Sequence, residues 1–180
     1  MSDQLTALTT FTLTTEIVIR PARYEDLPLL EWYGLFWHFR NVFQETYREY
    51  EEGARLMIVA ALNDFPVGRV FVQTAVGNPV YADGYDRAYL YSLHVIPPLQ
   101  GNGIGTALIN YAERELVNRG FTWVTIAVAK DNPGARRLYE RLGYTRYHED
   151  SGVWSYIDPD GQGHTINEPC WVLKKRLGSG

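Results

Sequence analysis

Cysteine is almost absent from this chain. A single one, Cys170, occurs in 180 residues, which excludes an intrachain disulfide and any metal site built from several thiolates. A lone thiol suits a reducing compartment. An excess of positive charge is missing too. Lys and Arg number 17 against 21 Asp and Glu, for a net charge of -4. Nothing here suggests general attraction to nucleic acid or to an anionic membrane surface. No apolar window approaches a membrane span, and the threonine-rich start, Met1–Thr15, lacks the basic flank and apolar stretch of a signal peptide. Internal repeats and low-complexity linkers are also lacking. These absences point to a cytoplasmic protein with no nucleic-acid partner, no membrane and no metal.

What remains is the composition of a folded domain, 46% apolar and 21% charged. The length suits one domain with a substantial core. The expected division is a flexible N-terminal segment over residues 1–15, one domain over 16–177, and a cloning remnant at 178–180. Glu16–Arg20 reads as a strand that Pro21 ends. Tyr24–Glu52 reads as mostly helical, because Trp32, Phe36, Phe39, Phe43, Tyr47 and Tyr50 recur at steps of three and four, with Gly34 as a candidate break. This stripe fits core packing, and it also fits the lining of a pocket. Arg55–Leu62 and Val67–Val76 read as an antiparallel hairpin around Asn63-Asp64-Phe65-Pro66. A polar loop, Gly77–Arg87, leads to a strand at Ala88–Val95, which Pro97-Pro98 stops. A helix follows over Ile104–Asn118. Phe121–Ala129 is a continuous apolar strand. Asn132-Pro133 offers an N-cap and a first-turn proline for the next helix, which closes at Gly143. Tyr144–Tyr147 and Glu168–Lys174 read as strands, with Ser151–Pro169 as a long polar loop. The order predicts a mixed α/β fold whose β-α-β step makes two strands parallel neighbours.

The chemistry concentrates in Gln100-Gly101-Asn102-Gly103-Ile104-Gly105-Thr106. Glycine weakens a helix by about 1 kcal/mol relative to alanine, so three of them at a helix start need a local reason. A plain tight turn is one. The other is a phosphate cradle, where positive φ and missing Cβ atoms let unpaired N–H groups face an anion at the positive end of the helix dipole. A dinucleotide fold would use G-x-G-x-x-G and an acid after the next strand. Asp131 is near that position, but the glycines run G-x-G-x-G and no further β-α-β units follow.

Gln100-x-x-Gly103-x-Gly105 resembles the Q/R-x-x-G-x-G/A motif of the GNAT superfamily of acyl-CoA-dependent N-acyltransferases. Leu93-His94-Val95-Ile96-Pro97 is similar to that family's fourth strand and its exit. Asn132 to Tyr144 resembles its N-x-x-A-x-x-L-Y-x-x-x-G-F/Y signature. Ile17-Val18-Ile19-Arg20-Pro21-Ala22, followed by Asp26, resembles its first strand and helix start. The resemblance implies a mostly antiparallel sheet of about seven strands with a parallel fourth and fifth, flanked by about four helices. It implies acetyl-CoA as co-substrate. The pyrophosphate would lie on the N–H groups of Gly101, Asn102, Gly103, Ile104, Gly105 and Thr106, beside Gln100. The pantetheine would pair with Leu93, His94 and Val95, and Asn132 would meet it from the other side. The Val95 N–H is the candidate to polarise the acetyl carbonyl. Tyr139 would give a proton to the departing thiolate, since a phenol of pKa about 10 is protonated at neutral pH. Packing alone would also explain Tyr139.

The implied acceptor is an amine, on a small molecule or a peptide. It must lose a proton before attack. Ribosomal-protein N-terminal acetyltransferases of the superfamily carry a Glu five residues before the motif Asn, where this chain has Ala127. Histone acetyltransferases carry one at the position that falls on Tyr89. Neither carboxylate is present. His94 is the titratable alternative, with Tyr89 and Tyr91 as a relay through water, although all three also make sense as strand packing. The acceptor is expected between the first two helices and the loop Ser151–Pro169. There Asp158, Asp160 and Glu168, with Glu149-Asp150 before them, either attract a cationic amine or simply face solvent. No cysteine lies near either motif, so transfer is expected to be direct, in a ternary complex. An acyl-CoA-binding regulatory module of the same fold is the alternative. Homodimers are common in the family, and this sequence leaves the oligomeric state open.

Overall fold

In a computed structural model of the chain, residue 12 and residues 14–178 are described. The expected N-terminal segment 1–15 therefore lies almost wholly outside the described residues. The first strand is β1 (Ile17–Pro21). The next 18 residues take three short 3₁₀ turns, at Tyr24–Asp26, Leu29–Glu31 and Trp37–Phe39, before α1 (Arg40–Glu51) begins. The helical spacing predicted from Tyr24 thus holds only for its second half. The cause is local. Pro28 brings no N–H donor, and Trp32, Tyr33 and Gly34 all have positive φ, at 42°, 59° and 90°. Three such residues in a row cannot continue a right-handed helix.

Arg55–Leu62 (β2) and Phe65–Gln73 (β3) form the expected hairpin. Its two-residue turn, Asn63-Asp64, has φ of 47° and 63°, the twist-matched geometry that Asn and Asp tolerate. β4 (Arg87–Val95), α2 (Ile104–Asn118), β5 (Trp123–Ala129), α3 (Pro133–Arg141), β6 (Thr145–Asp150) and β9 (Cys170–Arg176) complete the main elements. The sheet has seven strands in the order β1-β2-β3-β4-β5-β9-β6. Only β4 and β5 are paired in parallel. This is the sheet the sequence resemblance implies.

The segment expected to be a polar loop, Ser151–Pro169, contains a separate hairpin, β7 (Val153–Ile157) with β8 (Gly163–Asn167). Asp158 builds its turn. Its carboxylate accepts from the N–H groups of Asp160 and Gln162, and its other oxygen lies 2.7 Å from His164 Nε2. These two strands bury little of their surface, and the flanking Asp, Gly and Ser content speaks for turns.

One face of the sheet packs α2 and α3 around Leu90, Leu108, Ile109, Leu116, Val124 and Ile126. The other packs α1 and the 3₁₀ segment around Leu30, Phe43, Met57, Val59 and Phe71. Gly68 on β3 sets how closely α2 approaches. A Cβ there would stand 3.2 Å from Leu108 Cδ1 and 3.3 Å from both Ile104 Cγ2 and the His94 carbonyl. Among the described residues no helix is long and apolar enough to cross a membrane, and no group of three His, Cys, Asp or Glu could hold a metal ion. A Gly68→Val substitution should lift the start of α2 from the sheet and lower stability by about 1–3 kcal/mol, measured by urea unfolding with an unchanged m-value.

Candidate active site

The site begins where two parallel strands part. β4 and β5 are paired only over Arg87–Leu90 and Trp123–Ile126. Beyond that point β4 follows β3 while β5 follows β9, out to the Ala129–Cys170 pair. The turning point is a bulge. Ser92 has φ of 54°, and the register against β3 shifts between Arg69 and Phe71. One extra residue bends a strand and reverses its alternation. Ala88, Leu90, Leu93 and Val95 therefore all join the α2 face. Tyr91 packs with the α1 face, where His94 also lies, against Phe36.

The backbone of β4 is turned into the gap. The Ile96 N–H bonds to the Val67 carbonyl on β3 at 2.9 Å, so the Val95 carbonyl of that same trans peptide points away from β3. Gln100 Nε2 donates to it at 2.9 Å. In extended backbone the N–H and C=O of one residue share a side, which directs the Val95 N–H into the cleft.

Both helices that follow the parting strands start at its mouth, at the carboxyl ends of the parallel pair, where open sheets bind ligands. Gly101 and Gly103 have φ of 79° and 81°, with no atom within 4 Å of an added Cβ at either. The first helical bond of α2 runs from the Ala107 N–H to the Gly103 carbonyl. Among the described residues, no backbone carbonyl accepts from the N–H groups of Gly101 to Thr106. Asn102 spends its side-chain amide on the carbonyls of Leu99 and Gln100, holding the loop in shape. At the second helix, Asn132 Oδ1 accepts from the Ala135 N–H at 3.0 Å, the N-cap read from the sequence.

Three of the named side chains change character through burial. Tyr139, on α3, is buried, which pushes its phenol up to about 12. Tyr89 and Tyr91 are raised mainly by burial as well. The Tyr91 oxygen accepts from Arg55 and sits 3.5 Å from Thr46 Oγ1. All three phenols thus stay protonated at neutral pH and act as donors or relays, not as phenolate bases. Tyr81, which the sequence did not single out, joins them with its ring 4.8 Å from that of Tyr89 and its hydroxyl 3.9 Å from Cys170 Sγ. His94 keeps an exposed position on β4, yet it is pushed down to about 4, by partial desolvation of its ring, which packs against Phe36, first and by the Arg69 charge second. It is a neutral imidazole at physiological pH, able to accept a hydrogen bond but weak as a base.

The juxtaposition expected for the acceptor is present. The Trp37–Phe39 turn meets the β7–β8 hairpin, with Phe39 4.8 Å from Tyr156 and 6.0 Å from Trp154. Asn41 Nδ2 donates to the carbonyls of Ile157 and Asp158. Most of the nearby acids are already engaged. Asp158 holds the hairpin turn, Asp150 accepts from the Gly152 N–H at 2.7 Å, and Glu149 pairs with Lys130. Only Asp160 and Glu168 of that set carry no side-chain partner among the described residues. An open concavity of about 540 Å³ lies elsewhere, lined by Ala22–Glu25, Tyr47, Tyr50 and Glu51, and contains no residue of β4 or the glycine loop.

Arg69 went unread in the sequence. It is fully buried on β3, opposite His94, with its guanidinium 4.4–4.9 Å from the ring centroids of Trp32, Phe36 and Phe43. The signal was a single charge inside an apolar strand, which a half-exposed strand would display on its solvent face.

A family model described as the acetyltransferase (GNAT) family matches residues 22–144. Solved structures share the fold. The ribosomal-protein-S18-alanine N-acetyltransferase of Escherichia coli superposes with a TM-score of 0.65 at 20% identity, over 92% of this chain and 96% of that one. Arabidopsis thaliana NAA60 in complex with acetyl-CoA gives 0.68 at 19% identity, over 90% and 99%. The PaiA N-acetyltransferase of Thermoplasma acidophilum in complex with coenzyme A gives 0.67 at 16%, over 89% and 99%. At these identities the likeness extends to the fold.

The His94 environment has a measurable consequence. Its imidazole should titrate with a midpoint near 4 by NMR. A folded pKa below the unfolded value of about 6.5 means the unfolded chain takes the proton first. The His94 contribution to stability is therefore present above about pH 6.5 and is lost as pH falls toward 4. A midpoint near 6.5 would show that the ring is solvated.

Proposed function

The chain belongs to the GNAT family of acetyltransferases, and on that premise we propose that it transfers an acetyl group from acetyl-CoA to a primary amine by direct attack in a ternary complex. The observation that carries this reading is the convergence of two helix starts on a cleft edged by unpaired strand backbone. The residues present suit the cofactor. Unclaimed N–H groups from Gly101 to Thr106 offer neutral donors for a pyrophosphate, which lets an acidic protein hold an anion. Leu93–Val95 offers a strand edge for the pantetheine amides. Asn132 has its side-chain N–H₂ left for the same arm, since its oxygen caps α3. The bound cofactor supplies an activated acetyl thioester.

The chain's own residues then divide the work. The Val95 N–H polarises the acetyl carbonyl, where charge grows during attack. Tyr139 Oη holds the proton that the leaving sulfur takes. Burial keeps that proton in place up to about pH 12, so Tyr139 serves as an acid over the whole physiological range. The incoming ammonium loses its proton to water, which neutral His94 orients by accepting a hydrogen bond, with Tyr89 and Tyr91 as relay. Transfer at this site belongs in the cytoplasm, consistent with the lone cysteine. The missing carboxylates at Ala127 and Tyr89 favour one other reading, an acyl-CoA-binding regulatory module without efficient transfer.

Release of CoA thiol with an amine panel, with the acetylated product identified by mass spectrometry, separates the two; CoA binding without product for any amine would establish the module. Tyr139→Phe should lower kcat about 100-fold, while the KM for acetyl-CoA moves less than about threefold. Unchanged kcat would remove Tyr139 from the acid role. Gly103→Val should abolish measurable CoA binding in a calorimetric titration without unfolding the protein, because it fills the cradle and strains a positive-φ position; retained affinity would overturn the cradle.

A further inference from the structure

Arg69 is the buried group that the proposed reaction leaves without a task. Its Nε donates to Ser92 Oγ at 3.2 Å and its Nη1 approaches the Leu30 carbonyl at 3.4 Å, while Nη2 has no partner. Two other arginines withdrawn from solvent are matched by acids. Arg20 forms a two-pronged pair with Asp26, and Arg55 pairs with Glu49. No carboxylate among the described residues pairs with Arg69. An uncompensated buried charge costs several kcal/mol. Trp32, Phe36 and Phe43 offset part of this through their ring faces. Ring faces satisfy the faces of a guanidinium, however, and leave Nη2 without an acceptor. A charged N–H donor of this kind suits a carboxylate oxygen.

Access is arranged on one side. Trp32 and Phe43 are buried, whereas Phe36 is half-exposed and touches His94, at 5.2 Å between ring centroids. Phe36 follows the positive-φ residues Trp32, Tyr33 and Gly34. The segment is clipped at its base by the Glu31–Arg40 ion pair and by the Phe36 N–H on the Glu31 carbonyl at 2.9 Å. Non-glycine residues held at positive φ carry backbone strain, so a second arrangement of this short segment is within reach. Arg69 pairs in register with His94 across adjacent strands, about 5 Å apart. An amine at the β4 edge and a carboxylate a few bonds away on the same molecule can therefore address both.

We propose that Arg69 binds a carboxylate carried by the acceptor, reached when the Phe36 side chain swings aside, so that the acceptor is an amino acid or a similar amine-bearing acid. This deepens, and rests on, the reading of the site as one that acetylates amines.

The probes are the common α-amino acids and β-alanine, each compared with its carboxamide, which keeps the amine and removes the charge. The wild-type protein should gain thermal stability from at least one acid and not from its amide. Its kcat/KM for that acid should exceed the amide value by about tenfold or more. Arg69→Met, which fills similar volume without a charge, should lose both differences while its Tm equals or exceeds the wild-type value. Equal treatment of acids and amides by the wild type overturns the proposal, as does an acid preference that survives in Arg69→Met. Should Arg69→Met fail to fold, the wild-type comparison of acid with amide decides alone. CoA release from amines without acid preference sinks the carboxylate site only. An acid-dependent Tm shift that Arg69→Met abolishes, with no acetylated product, supports the anion site and sinks the transferase reading.

Discussion

The parting of β4 from β5 is the constraint on which the rest of this molecule depends. Parallel strands joined through a helix would normally stay paired along their length. Here Ser92 adopts positive φ and inserts one residue against β3. The consequence is threefold. Strand backbone past Leu90 is freed on the β5 side. Leu93 and Val95 are kept in the α2 core, although simple alternation would turn them out. His94 is carried to the face that holds Tyr91 and Arg69. A single irregular residue thus makes the cleft, preserves the core beneath it and chooses which side chains share a face with Arg69.

Burial, more than formal charge, tunes the chemistry of the cleft. The phenols of Tyr89, Tyr91 and Tyr139 are held protonated by loss of solvent. His94, at an exposed position, is lowered by partial desolvation of its ring and then by the Arg69 charge. The anionic cofactor proposed here would meet neutral N–H groups at a helix start instead of lysines. Neutral donors do not raise the net charge, and a protein at -4 therefore needs no basic patch for this purpose.

The α1 face follows a different logic. Trp32, Phe36 and Phe43 surround Arg69, and Phe39, stacked on Phe36, extends the aromatic surface toward Tyr156 and Trp154. The nearby acids mostly complete turns and surface pairs. This side is thus built from aromatic surface and one buried cation. A buried cation lacking a partner lowers the stability of the free protein. Its retention makes sense if the group that completes it arrives with the acceptor.

The strongest local patterns were legible in the residues alone. The Asn63-Asp64 turn, the helix over Ile104–Asn118, the cap at Asn132 and the order of elements were readable because turn chemistry, helical period and capping act within a few residues. The glycine loop and the Asn132–Tyr144 signature likewise pointed to the GNAT fold through their resemblance to that family's motifs. The 3₁₀ path of residues 24–39 was hidden because aromatic spacing is the same for a helix and for a chain that folds back through positive-φ residues. The β7–β8 hairpin was hidden because its strands carry few core residues and its turn rests on Asp158, which as a sequence letter looks like loop. Arg69 was invisible for a third reason. A charge in a strand faces either solvent or core depending on register, and register is settled by pairing with distant segments, here β2, β4 and the aromatic turns that close over it. Tertiary packing alone decided that this arginine is buried, and that the cleft opens beside it.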